Sequence, residues 1–198
     1  MSNYTVISDV SEGLKQILFT EFEKDPVIRN IVGPTDAGIV FTNPTQTAQN
    51  ASNRLSIWLY QVTENEFLKN QPSARSNGVE TTQFPPLQLN LHYLITPFAA
   101  TGQADLLLLG KTMQILHENA SVLLRNPASA LAEELRIVLC NLLLDQLSRV
   151  WEALREPYRL SVSYEVRVTR IDSQHATTTA RVVERTAAFA GTLAGAGS

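Results

Sequence analysis

From Tyr158 to Thr169 the chain alternates without a fault. Tyr158, Leu160, Val162, Tyr164, Val166 and Val168 fall on one side, and Arg159, Ser161, Ser163, Glu165, Arg167 and Thr169 on the other. Side chains on a strand switch faces at every residue, so this run predicts a long strand with one buried face. RLSIWLYQV, from Arg54 to Val62, is a second such run. It sets Leu55, Ile57 and Leu59 against Ser56, Trp58 and Tyr60. Large groups on both sides predict a central strand or one covered by a partner. LQLNLHYLI is the third, with Leu87, Leu89, Leu91, Tyr93 and Ile95 together.

Helical spacing governs other stretches. Residues 5–24 carry Ile7, Val10, Leu14, Ile17, Leu18 and Phe22 as one stripe, with Thr5 as N-cap. Gly13 within it predicts a close packing contact, because glycine in a helix costs about 1 kcal/mol relative to alanine. Residues 101–120 place Leu106, Leu109, Met113, Leu116 and Ala120 on one side, and Gly110 on the flank would let that helix approach a sheet. Pro26, Gly33-Pro34 and Asn43-Pro44 punctuate the early chain, so VIRNIV and GIVFT read as short strands at best. Residues 128–155 fit two readings: one long helix, or a buried strand LRIVLCN before a shorter helix with Leu143, Leu147, Val150, Trp151 and Leu154 inward. Asn126-Pro127 is a further helix start.

Residues 63–86 form a long polar stretch containing Asn77-Gly78, a strong turn signal, and they predict a projecting hairpin or a mobile loop. The expected architecture is α+β: a single domain with a mainly antiparallel mixed β-sheet packed against a few amphipathic helices, over residues 1–172. Residues 173–198 are expected to add an edge strand and a flexible tail.

Composition sharpens this picture by exclusion. A chain of 198 residues with 44% apolar and 18% charged residues is globular and can bury a sizeable core. Its net charge of −3 and pI near 5.6 provide no electrostatic drive toward nucleic acid. No apolar run approaches the roughly 20 residues of a membrane helix. MSNYTVISDVSEG has no basic segment followed by an apolar core, so a signal peptide is not expected and the cytoplasm is the expected place of synthesis. The lone Cys140 allows no internal disulfide and sits in an apolar run, where burial would make it inert. Acidic residues dominate near the start, and seven arginines lie from Arg149 to Arg185, an asymmetry suited to head-to-tail contacts.

Candidate chemistry is sparse. His92, His117 and His175 share no metal-ligand spacing, and neither a nucleophile elbow nor a phosphate loop occurs. Catalytic, cofactor and metal residues are therefore expected to be absent. An enzyme using His92, Tyr93 or Tyr60 beside an arginine is the competing class. Aromatic, turn and arginine positions remain as candidate interface residues: Trp58, Tyr60, Asn77, Gly78, Arg159, Arg167, Arg181 and Arg185.

RLSIWLYQVTENEFLKN, PPLQLNLHYLITPFA, LLLLGKTMQILHEN and LSRVWEALREPYRLSVSYEVRVTRID, in that order, resemble the cap family of contractile injection systems. This is the tail-terminator type of antifeeding-prophage and virulence-cassette particles, and the resemblance runs from about residue 5 to residue 172. Its most distinctive parts are Tyr93-Leu94-Ile95-Thr96-Pro97, Leu109-Gly110 with Gln114, and Trp151 through Val168. The resemblance implies a structural role without catalysis or cofactor. Copies would form a ring, typically six-fold, at the tail end away from the baseplate, stopping the inner tube and holding the last sheath ring. The implied partners are the chain itself, an inner-tube protein and a sheath protein, with no nucleic acid and no membrane. A baseplate or adaptor subunit of the same particle is the alternative. Assembly is expected in the cytoplasm, before release as part of a particle. The resemblance also favours the strand reading of residues 135–140. Some relatives carry further domains; this chain ends soon after the core, so their functions are expected to be missing.

Overall fold

The computed structural model describes residues 4–65, 81–83, 87–125, 132–171 and 176–178. Its elements in chain order are α1 (Val6–Glu23), α2 (Pro26–Val32), β1 (Ile39–Val40), α3 (Pro44–Ala48), β2 (Leu55–Glu64), β3 (Thr81–Gln83), β4 (Leu87–Pro97), α4 (Gly102–Glu118), β5 (Ser121–Arg125), β6 (Ala132–Cys140), α5 (Leu144–Leu154), β7 (Val162–Ile171) and β8 (Ala176–Thr178). A six-stranded sheet runs β1-β2-β4-β7-β6-β5; β1 pairs parallel to β2 and every other pairing is antiparallel. β3 and β8 form a separate antiparallel ribbon. The fold is the expected α+β domain with a mixed, mainly antiparallel sheet.

Cross-strand partners share a face, so the register sorts the side chains. On one face Leu55, Ile57, Leu91, Tyr93, Ile95, Ile137 and Val166 join Val6, Val10, Leu14, Leu18 and Phe22 of α1 and Leu108, Ile115 and Leu116 of α4 in one buried core. The α1 residues repeat every fourth position, which keeps them on one stripe of the helix. Each large side chain taken from water contributes about 1.5–3 kcal/mol. Tyr93 is the largest fully buried side chain among the described residues, and its hydroxyl lies 2.8 Å from Ser11 Oγ. Ser11 gives its own proton to the Ile7 carbonyl at 2.9 Å, so Tyr93 O–H is the donor.

Among the described residues, helices cover one end of the opposite face. Ser56 Oγ donates to the Thr42 carbonyl at 2.7 Å beside α3, and Trp151 Nε1 of α5 donates to Ser161 Oγ at 3.2 Å. Beyond that end, no helix among the described residues lies over this face.

Several local expectations are corrected. VIRNIV is α2, because Pro26 occupies the first turn, where a missing N–H costs nothing, and Asp25 caps it by accepting from Val27 N and Ile28 N. β2 lies between β1 and β4, but among the described residues β1 pairs only with Leu55 and Ser56 of it, so most of its length has one strand neighbour. β7 begins at Val162, leaving Tyr158 and Leu160 exposed in the approach to it. Its polar side is buried as well, at Ser163 and Glu165. The inward stripe of α4 is Leu108, Leu109, Thr112, Ile115 and Leu116, so Leu106 faces out. Gly110 is exposed and approaches nothing. On α5 only Trp151 is buried, and Leu143 is exposed. Gly38 is a close-packed glycine, where a Cβ would meet the Val32 carbonyl oxygen at 2.7 Å. LRIVLC is a strand, as the resemblance implied.

Burial pushes the Tyr93 phenol from 10.0 up to about 12, with the Ser11 hydroxyl offsetting part of the shift. The folded pKa lies above the unfolded one, so its contribution is complete below pH 10 and is lost as pH rises toward 12. At about 1.36 kcal/mol per unit the loss approaches 2–3 kcal/mol. Tyr93→Phe should cost about 1 kcal/mol at pH 7 and flatten the fall in stability between pH 10 and 12, as read by urea unfolding across that range. An unchanged alkaline slope would show that Tyr93 does not carry it.

Candidate interaction surface

The open part of the sheet carries an aromatic and polar strip, and register explains its composition. Trp58 pairs with Leu94, Leu94 with Ser163, and Ser163 with Cys140, so these four share the open face. His92, Glu165 and Val138 form the next row. Between the rows β2 bulges: Leu59 opposes Tyr93 and Gln61 opposes His92, leaving Tyr60 as the extra residue. A bulge bends a strand and re-aims a side chain. Here Tyr60 lies between Trp58 and His92, with ring centroids 6.1 and 6.2 Å away, and shares a 3.0 Å hydrogen bond with Ser163 Oγ. Thr63 Oγ1 lies 3.2 Å from His92 Nε2.

Electrostatics on this face is locally settled. Glu165 is buried, and Arg167 closes on its Oε2 through Nε and Nη2, both at 2.7 Å. A buried carboxylate needs such a partner. Burial pushes the Cys140 thiol up; Glu165 adds to the shift, while Ser163 and Arg167 offset it. Burial likewise raises the Tyr60 phenol. A thiol held above its ordinary pKa is a poor nucleophile. Among the described residues no group of three or more His, Cys, Asp and Glu side chains could hold a metal. Cys140, expected inside the core, is half-buried on the open face instead, because the strand parity of β6 gives the core positions to Leu135 and Ile137.

The predicted interface residues separate. Trp58 and Tyr60 come together on the strip, and Arg167 joins the same face through Glu165. Arg159 lies elsewhere: its guanidinium stacks 4.5 Å over the Phe98 ring and bonds to Asp105 Oδ2 at 3.0 Å, beside a cleft of about 330 Å³ lined by Pro44, Trp151 and Tyr158. Asn77, Gly78, Arg181 and Arg185 lie outside the described residues. Arg149 pairs with Asp145 at 3.1 Å, so Arg149, Arg159 and Arg167 are each matched by a nearby carboxylate rather than forming a free basic face. His117 is exposed on α4 and His175 lies outside the described residues.

Exposed leucines at two further places were not anticipated: Leu106 and Leu107 on α4, and Leu143 and Leu144 at the start of α5. A signal existed for the first pair. Four consecutive leucines on a helix span every direction around its axis, so Leu106–Leu109 cannot all face one core.

Together these features define an α+β subunit with one helix-packed sheet face and an opposite face that carries a half-buried aromatic strip. The chain belongs to the Pvc16 N-terminal domain family, whose model matches residues 9–185. The fold is similar to that of the PVC sheath/tube terminator of an extracellular contractile injection system, solved by cryo-EM in the extended state. The TM-score is 0.59 and identity 21%, over 96% of this chain and 67% of that one. A second match, the tube-terminating cap of the anti-feeding prophage, has a TM-score of 0.43 and 18% identity over 68% and 48% of the two chains, too distant to support an argument. No curated protein matches the chain significantly. No helix among the described residues is long and apolar enough to cross a membrane.

The raised Cys140 pKa has a measurable consequence. The pH midpoint for alkylation of native Cys140 should lie above that of the urea-unfolded chain, whose thiol has its ordinary value. A native midpoint at or below the unfolded one would contradict the burial of this thiol and reopen nucleophilic chemistry on the open face.

Proposed function

We propose that this chain is a structural tail terminator of a contractile injection particle, acting by binding the tail end rather than by catalysis. Family membership across residues 9–185 carries the reading. The likeness of fold to a sheath/tube terminator agrees with it. Copies of the chain would form a ring, six-fold in number, that stops the inner tube and anchors the last sheath ring. Inner-tube and sheath proteins are then the partners, with neither nucleic acid nor membrane involved. Assembly would take place in the cytoplasm before the particle is released.

The aromatic strip is the natural contact face. Trp58 and Tyr60 are large, held by neighbouring rings and only half-buried, the condition in which such residues anchor interfaces. Arg167 would border it, and Arg159 would mark the rim of the Trp151 cleft. Residues 1–172 would form the ring-building domain and residues 173–198 a contact arm. The pairing of Thr81–Gln83 with Ala176–Thr178 supports letting the segment bearing Asn77 and Gly78 and the segment bearing Arg181 and Arg185 act together.

Gold-labelled chain on intact particles tests the reading. Label should appear at the tail end away from the baseplate, and the double variant Trp58→Ala, Tyr60→Ala should lower occupancy at least about tenfold, or 1.4 kcal/mol, with the circular dichroism spectrum retained. Label at the baseplate end would overturn the terminator assignment and favour the adaptor reading.

A further inference from the structure

The cleft at the end of α5 is walled by aromatic rings and carries one unmatched charge. α5 ends in a tight turn: Glu156 N and Arg155 N donate to the Trp151 and Glu152 carbonyls at 3.3 and 2.9 Å. Arg155 takes the left-handed φ of 57° that such a turn usually gives to glycine. Pro157 then sets the direction of the chain, because its ring locks φ. The turn brings Tyr158 back against Trp151, with ring centroids 6.2 Å apart and planes at 68°. Trp151 is pinned in turn by its Nε1 bond to Ser161 Oγ at 3.2 Å. Pro44 and Phe98 complete the walls of a cleft of about 330 Å³.

Among the described residues two charged side chains line this cleft, Glu156 and Arg159. Arg159 is already engaged. Its guanidinium lies 4.5 Å over the Phe98 ring and bonds to Asp105 Oδ2 at 3.0 Å, while Asp105 Oδ1 accepts from Ala99 N at 2.6 Å. Glu156 has no such match: among the described residues no cation stands within ion-pair distance of its carboxylate. Arg155, its neighbour in the chain, makes no ion pair with it and does not line the cleft.

That leaves an unbalanced negative charge beside two rings. Tyr158 is 46% exposed, so its ring offers an open surface, and Trp151, at 3%, forms the floor. Aromatic rings attract cations through their quadrupole, and a carboxylate beside them adds a charge-assisted hydrogen bond. An apolar ligand would leave Glu156 unused, and an anionic one would be repelled by it. Glu156 and Tyr158 are both exposed at the surface, as suits a side chain reaching in from another protein.

We infer that this cleft binds a cationic side chain, lysine or arginine, presented by a partner protein, with its charged head between Tyr158 and Glu156. This ligand class goes beyond the tail-terminator reading and does not depend on it.

Titrating the ¹⁵N-labelled full chain with Nα-acetyl-arginine amide and with Nα-acetyl-lysine amide provides the test. The readout is the indole N–H resonance of Trp151, told apart from that of Trp58 by the variant Trp58→Phe. At least one cationic amide should shift it saturably, while the neutral Nα-acetyl-norleucine amide should not. Glu156→Gln and Tyr158→Ala should each weaken binding about fivefold. Tyr158→Phe should retain it. No saturable shift, an equal response to the norleucine amide, or unchanged affinity in Glu156→Gln would overturn the cation site. Tetramethylammonium binding more tightly than both amides would overturn the choice of a partner's side chain in favour of a small free amine.

Discussion

Burial of β4 and β7 on both faces is the constraint on which the rest of the structure depends. Both strands lie in the middle of the sheet, and their core side is sealed by α1 and α4. Their other side also carries buried positions, Leu94, Ser163 and Glu165, and among the described residues helices cover one end of it. A buried polar group costs free energy unless it finds a partner. Tyr60 meets Ser163 and Arg167 meets Glu165, so the strip that closes this face is built by neighbouring strands. Alternation already puts Tyr60 on the Ser163 face beside Trp58, and the bulge leaves it there as the extra residue while pairing resumes at Gln61.

That arrangement explains what was legible in the sequence and what was not. Alternation revealed β2, β4 and most of β7, because their large apolar side chains still alternate with polar or smaller ones, and the stripe Val10, Leu14, Leu18 and Phe22 revealed α1, whose core side is single. Where burial is two-sided, or relieved by an exposed patch, the period misleads. LLLL in α4 left its phase open, and α4 turned Leu108 and Leu109 inward. Ser163 and Glu165 read as a solvated face because short polar side chains carry no mark of burial. α2 was not legible because proline signals a break as readily as the capped first turn that Pro26 occupies here behind Asp25. The strip itself was half legible: Trp58 and Tyr60 were singled out, while His92 and Ser163 join them only through register.

Little on these surfaces resembles reaction chemistry. Cys140, the one thiol, is held protonated by burial, and the nearby carboxylate of Glu165 is already closed by Arg167. What remains accessible is shape: a half-buried aromatic strip, the Trp151 cleft and exposed leucines on α4 and α5. On the reading proposed above, those shapes would serve contact, in keeping with the family to which the chain belongs.

The most direct measurement of that claim is the tail-length distribution, by electron microscopy, of particles assembled with and without this chain. Overlong or ragged tubes with detached sheath in its absence are the predicted result. Tails of unchanged, uniform length would contradict a terminating role.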